Sequence, residues 1–186
     1  MKTKSCLFAL LIPFVIFSQV NTPSEIRRKT LIKDIGDYAL HVPALTSLLM
    51  IIVKKDKEGF GQFTKSYGTT LAVTYALKYA INKPRPKNAT DGHAFPSGHT
   101  SAAFSGATFL QRRYGWEYGI PAYAVASFVG YSRIKGDRHD IWDVLGGVIV
   151  GVGSSYLFTK PYQQEHMELS FNSNNGNYLV GFNYNF

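Results

Sequence analysis

Two imidazoles, a carboxylate and a set of cations between Lys78 and Asp143 are the groups in this chain whose types and spacing suit chemistry. They fall in three clusters: KYAINKPRP from Lys78 to Pro86, PSGH from Pro96 to His99, and SRIKGDRHDIWD from Ser132 to Asp143. This inventory fits a tetrahedral oxyanion, because phosphate takes several charge-assisted donors and its transfer takes a nucleophile and an acid. His139 and Asp143 stand four residues apart, so on a helix they share a face. A carboxylate there can hold one ring nitrogen and leave the other free as a nucleophile. The same spacing also occurs in ordinary solvent-exposed pairs. Ser97 reads as a helix opening, where Gly98 and the amides after it offer unpaired N–H groups to an anion. His99 follows closely enough to protonate a departing oxygen, although Pro-Ser is equally a routine way to begin a helix.

The elements that must position these clusters read as helices. Residues 20–37 place Ile26, Leu31 and Ile35 among charges, as a short amphipathic surface helix does. Residues 38–53 are uncharged apart from His41, which reads as a core group, and end in a strongly apolar run. KKDKEGFGQ, residues 54–62, reads as a polar loop. A second helix is expected over 63–81, stopped by Pro84 and Pro86, so that Lys78 lies in its last turns and Arg85 in its rigid exit. A third helix opens at Pro96, is rich in small residues that allow close helix approach, and ends before a polar loop over 111–119. Two more follow over 120–134 and 139–158, the last with Gly146, Gly147, Gly151 and Gly153 thinning one surface. The tail alternates apolar and polar residues around Asn175-Gly176, a hairpin signal.

With 186 residues the chain is most simply one domain. Its formal net charge of +8 is concentrated in the first half, where residues 1–90 carry 14 basic and 5 acidic side chains. The cations lie between apolar segments rather than in a stripe with stacking aromatics, which argues against nucleic acid as a partner and leaves a membrane surface or a phosphorylated substrate. Cys6 is the single cysteine, so neither an intramolecular disulfide nor a cysteine metal site is possible. A basic MKTK followed by the apolar run from Cys6 to Phe17 marks residues 1–19 as a signal peptide or an uncleaved N-terminal membrane helix. The uncharged runs at 38–53, 118–132 and 144–159 are each about 15 residues long, short against the roughly 20 of a straight span. Yet the loops alternate in charge as the positive-inside tendency asks, with 78–96 and 133–139 on the outer side and KKDKEG, QRRYGWE and Lys160 on the inner. Membrane association is the expectation, against a soluble exported bundle.

Taken together, the three clusters resemble the signature of the type 2 phosphatidic acid phosphatase (PAP2) superfamily, which also contains bacterial class A acid phosphatases and vanadium haloperoxidases. Lys78 is followed by six residues and then Arg85-Pro86; Pro96 to His99 match in full; Ser132-Arg133 is followed by five residues, His139, three residues and Asp143. The resemblance implies an all-α helical bundle of the PAP2/haloperoxidase type, with about five or six helices over residues 20–160; the tail, 161–186, is expected from its own alternation to carry a short C-terminal β-hairpin. The resemblance also implies catalytic roles for His139 as nucleophile, Asp143 as its orienting carboxylate and His99 as general acid. Lys78, Arg85, Ser97, Gly98 and Arg133 would bind the substrate phosphate, with no metal and no cofactor. Lys83, Lys87, Lys135 and Arg138 could widen the positive field at the mouth or be solvated loop charges; His93 reads more readily as a surface loop histidine than as a group flanking the site; Asp137 and Asp140 read as surface or helix-start groups.

The activity so implied is metal-independent hydrolysis of phosphate or pyrophosphate esters through a phosphohistidine. The substrate expected is lipid-linked, such as phosphatidic acid, a polyprenyl diphosphate or a lipid A type molecule. The place expected is the cell envelope, with the site facing the periplasm. The alternatives are an exported acid phosphatase acting on small soluble phosphomonoesters, a vanadate-dependent haloperoxidase, and a protein that kept the frame and lost activity. Oligomeric state is left open by the sequence.

Overall fold

The computed structural model describes residues 23–86, 92–162, 167–174 and 177–184. The expected signal or anchor segment, residues 1–19, lies outside the described residues, as do Lys87 and the turn residues Asn175 and Gly176. Among the described residues six helices follow in order: α1 (Pro23–Ala39), α2 (His41–Val53), α3 (Lys57–Ile81), α4 (Gly98–Tyr114), α5 (Trp116–Lys135) and α6 (Ile141–Phe158). Two strands, β1 (Met167–Asn174) and β2 (Asn177–Tyr184), pair antiparallel with Met167 opposite Tyr184 and Asn174 opposite Asn177. Helix α4 is the central element, packed by α2, α3, α5 and α6, while α1 lies mainly along α5.

Two of the expected loops are helical, for identifiable reasons. The glycines at 59 and 61 suggest a loop over 54–62, but the Asp56 side chain caps α3 by accepting from the Gly59 amide at 2.8 Å, so the helix begins at Lys57. The polar stretch 111–119 contracts to a single connector, Gly115, whose φ of 101° lies where residues with a Cβ are disfavoured. Arg113 does not point to solvent: it turns inward and places Nε 2.7 Å and Nη2 2.6 Å from the Asp56 carboxylate, which also accepts from the Tyr114 hydroxyl at 2.9 Å. Both ions of this pair are buried, and together they tie the start of α3 to the end of α4. At its other end α3 stops as expected, with Asn82 in the left-handed region ahead of Pro84. His41 is exposed at the head of α2 rather than held in the core, because it belongs to the first turn and not to the helix interior.

Beside an apolar core that includes Ile51, Phe63, Phe109, Leu110 and Val129, the bundle buries a seam of hydroxyls. Ser66, Thr70, Thr74, Ser101, Ser105 and Ser155 are buried between α3, α4 and α6, and their hydroxyls pair across the seam: Thr74 to Ser101 at 2.9 Å, Thr70 to Ser105 and Ser105 to Ser155 at 3.0 Å. Small residues let the backbones approach closely; a Cβ on Gly151 would sit 2.4 Å from the Ser101 carbonyl oxygen. Gly153, grouped with it on sequence, has open space around it. Other large apolar side chains point outward, among them Leu45, Leu49, Ile52, Ile120, Ile149 and Leu157. Polar interhelical contacts inside and aliphatic groups outside suit a hydrocarbon surround. The stretches Pro23–Val53 and Ile141–Phe158 are long and apolar enough to cross a membrane.

The Asp56–Arg113 pair yields the first expected outcome. Asp56→Ala leaves the Arg113 guanidinium buried without its counter-ion and should cost about 3–5 kcal/mol, read as a fall in thermal midpoint in detergent. Arg113→Met in the same chain should restore much of the loss, since removing both charges removes the uncompensated one.

Candidate active site

The three sequence clusters arrive at one end of the bundle because each lies at a helix terminus. Lys78 sits in the last turn of α3 and Arg85 just beyond it. Ser97 is the N-cap of α4 and Gly98 its first residue. Arg133 lies in the last turn of α5, and His139 immediately precedes Asp140, the N-cap of α6. The ends enclose a cavity of about 650 Å³ lined by Lys78, Arg85, Gly98, His99, Arg133 and His139. Ser97 and Asp143, the other two residues singled out on sequence, lie behind that lining.

Asp143 is fully buried, and its carboxylate organises the surroundings. Its Oδ2 is 3.3 Å from His139 Nδ1 and accepts from the Asp140 amide at 3.2 Å; Oδ1 accepts from Lys83 Nζ at 2.8 Å. In return the Asp140 side chain accepts from the Asp143 amide at 3.0 Å, completing a capping box at the start of α6. With Nδ1 held, His139 has Nε2 as its second ring nitrogen, in a side chain only 4% exposed on the cavity wall. Ser97 donates its amide to the Asp143 carbonyl at 2.8 Å, and its hydroxyl accepts from Thr100 at 3.0 Å. Ser97 thereby fixes the start of α4 against α6, leaving Gly98 to face the cavity.

Charge and burial together set the state of the imidazole. Burial first, then the Lys78 and Arg85 charges, lower the His139 pKa; Asp143 acts the other way without reversing the shift, and the value falls to about 4. His139 is therefore neutral between about pH 4 and the ordinary imidazole value, where a free imidazole is charged. For Lys83, burial acts downward, but the hydrogen bonds to Asp140 and Asp143 outweigh it and its pKa is raised. Lys83, read on sequence as a charge at the mouth, is thus an ion-pair partner of the carboxylate behind the histidine. His93, read more readily as a surface loop group, lines the cavity instead: its carbonyl accepts from Lys78 Nζ at 2.7 Å, and its own Nδ1 lies 2.9 Å from the Lys78 carbonyl.

One residue that the sequence did not suggest completes the arrangement. Asp37, on α1, lies with Oδ1 3.0 Å from His99 Nε2 and 2.5 Å from Arg133 Nη1. Arg133 also donates Nη2 to the Lys33 carbonyl at 2.7 Å, so the guanidinium clamps α1 over the cavity. The docking depends on Gly36, where a Cβ would fall 1.9 Å from the Ser132 hydroxyl. The helix read as a surface element therefore forms one wall of the site.

The fold is a helical bundle whose helix ends bring an imidazole–carboxylate pair and several cations to one cavity. The PAP2 superfamily pattern matches residues 61–166, over half of the chain. The lipid A 4'-phosphatase of Helicobacter pylori is 30% identical over 169 residues, spanning 83% of this chain and 85% of that protein. The lipid A 1-phosphatase of Porphyromonas gingivalis is 35% identical over 134 residues, spanning 63% of this chain but 30% of that much longer one. The crystal structure of Aquifex aeolicus LpxE superposes with a TM-score of 0.57 at 24% identity, over 74% of this chain and 87% of its own. That of a transmembrane PAP2 type phosphatidylglycerolphosphate phosphatase from Bacillus subtilis gives 0.54 at 24% identity, over 75% and 77%. The chain belongs to the PAP2 superfamily. It is an enzyme of that family, a phosphatase.

The depressed basicity of His139 is directly measurable. NMR titration of its ring in detergent micelles is expected to show a midpoint near pH 4; a midpoint near the ordinary imidazole value would show that the ring is neither buried nor faced by Lys78 and Arg85.

Proposed function

We propose that this protein removes phosphate from a lipid-linked ester at the cell envelope through a phosphohistidine. The observation that carries the reading is the mixed lining of the cavity. Lys78, Arg85, Arg133, His99 and His139 line it together with the apolar and aromatic Leu40, Tyr67, Leu71, Tyr75 and Tyr79. The cations and imidazoles suit a phosphorylated headgroup, and the apolar groups suit the start of a hydrocarbon tail. The outward aliphatic surface of the bundle would hold the enzyme where such substrates reside, and relatives named for lipid A support the same class.

In this mechanism Nε2 of His139 attacks phosphorus as the P–O bond to the alcohol breaks, and His99 gives a proton to the departing oxygen. Lys78, Arg85 and Arg133, with the Gly98 amide at the head of α4, balance charge on the phosphoryl oxygens as the transition state forms. Water then attacks the phosphohistidine, passing a proton to the now neutral His99 and releasing phosphate. Asp143 holds the Nδ1 proton throughout, so the same nitrogen is presented in each turnover. The outer end of the bundle carries the cavity, and Lys54, Lys55, Arg112 and Lys160 gather at the opposite end, which supports a periplasmic orientation under the positive-inside tendency.

Substrate class is settled by comparing phosphate release from a lipid A type phosphate, a polyprenyl diphosphate and phosphatidic acid with release from a small soluble aryl phosphate. Higher kcat/KM on a lipid is expected; equal or better turnover of the soluble ester would favour a non-specific acid phosphatase. His139→Ala should abolish turnover with the fold retained, and residual activity near the parent level would sink the nucleophile assignment.

A further inference from the structure

The carboxylate of Asp37 lies on the general acid assigned above, and its placement has a consequence for catalysis. We propose that Asp37 is a positioning residue that makes His99 a proton donor: by holding Nε2–H it orients the ring, stabilises the imidazolium and leaves Nδ1 to carry the proton that goes to the leaving oxygen. This rests on reading the cavity as a phosphoryl-transfer site. The geometry mirrors the nucleophile, where Asp143 holds Nδ1 of His139 and leaves Nε2. Each histidine thus has its own carboxylate, held by opposite nitrogens, one from α6 and one from α1.

The contacts around Asp37 are built rather than incidental. Gly36 admits the backbone of α1 against Ser132, Arg133 anchors both the Lys33 carbonyl and the Asp37 carboxylate, and Lys29 reaches Asp137 at 3.4 Å at the edge of the same interface. His99 shares the cavity with Lys33 and Asp37 of α1, Lys78 of α3, Arg85 and His93 after α3, Arg133 of α5, and Arg138 and His139 after α5, and His41 of α2 also acts on it. Burial and the Arg133 charge lower the His99 pKa and His41 adds to them, while Asp37 acts the other way. In a cavity assembled to attract an anion, an imidazole surrounded by cations loses its proton unless a carboxylate offsets them. An acidic residue in a phosphate site would otherwise oppose substrate, so its position against the acid gives the charge a use. In the chemical step the P–O bond breaks, the N–P bond to His139 forms, and the Nδ1 proton of His99 moves to the alcohol; Asp37 gains and loses nothing.

The test is Asp37→Asn in the full chain in micelles, assayed on a long-chain alkyl phosphate and on a nitrophenyl phosphate bearing the same alkyl chain. General acid catalysis is worth about a hundredfold or more, so loss of the group that supports the acid should lower kcat on the alkyl ester by on the order of tenfold. The nitrophenyl ester, whose leaving group departs without a proton, should lose less than about threefold, since the acid's contribution shrinks as the leaving group becomes less basic. The alkaline limb of kcat/KM on the alkyl ester should move to lower pH, because a neutral amide no longer stabilises the imidazolium. In a His99→Ala background, Asp37→Asn should have little further effect. Asp37→Glu, retaining the carboxylate, should recover part of the rate and serves as the folding control. Equal losses on the two esters, a loss carried by KM alone, or an undiminished effect in the His99→Ala background would overturn the proposal and assign Asp37 to holding Arg133. Inactivity of the parent enzyme on every phosphate ester would instead overturn the functional reading itself.

Discussion

The fully buried carboxylate of Asp143 is the constraint on which the active end of the bundle depends. A carboxylate removed from water must recover its hydration from donors, and here those donors come from distant parts of the chain. Lys83 approaches from the exit of α3, His139 from the connection after α5, and the Asp140 amide from the cap of α6. The Asp143 carbonyl adds the Ser97 amide at the head of α4. Satisfying one residue therefore requires all three chemical clusters to be in place. Folding and site assembly become a single event at this end.

That dependence explains why the site tolerates so much like charge. Lys78, Arg85 and Arg133 face a common cavity, and their mutual repulsion would spread them apart if helix termini alone held them. Two buried or half-buried carboxylates offset it from behind and above, Asp143 through Lys83 and His139, and Asp37 through Arg133. At the opposite end a third buried carboxylate, Asp56, does comparable work with Arg113. The two ends of α3 and α4 are thus pinned by ion pairs while their middles are joined by Ser and Thr hydroxyls. In a surround without water, such polar contacts supply the attraction that hydrophobic burial supplies elsewhere.

How much of this was legible depends on the distance between partners along the chain. His139 and Asp143 are a local pair whose closeness was legible in the sequence, although not as the shared helix face expected of a spacing of four, since His139 lies before the Asp140 cap and outside α6. The helix-end positions of Lys78, Arg85 and Ser97 followed from Pro84, Pro86 and Pro96, which act on their immediate neighbours. Lys83 looked like one more loop charge, because its partner Asp143 is sixty positions away. Asp37 lay in a segment whose pattern announced only an amphipathic helix, and its contact with Arg133 spans 96 positions. The misread loops fail for the same reason: glycines at 59 and 61 weigh against a helix locally, while Asp56 is fixed by Arg113 from another helix. Local chemistry was visible in the sequence, and the long-range pairing of charges was not.

The role of α1 follows from these charges. Arg133 gives most of its donors to protein groups: Nε and Nη2 to the Ser132 hydroxyl, Nη2 to the Lys33 carbonyl and Nη1 to Asp37. A guanidinium so occupied cannot offer a phosphate the two-pronged grip that an unencumbered arginine gives. In the proposed mechanism it would contribute charge from a fixed position, which favours stabilising a transition state over binding a ground state. In that mechanism Lys78 and Arg85 reach the cavity from α3 and its exit while Arg133 reaches it from α5, so that charge converges on the phosphate from separate helices whose ends the buried carboxylates hold in register.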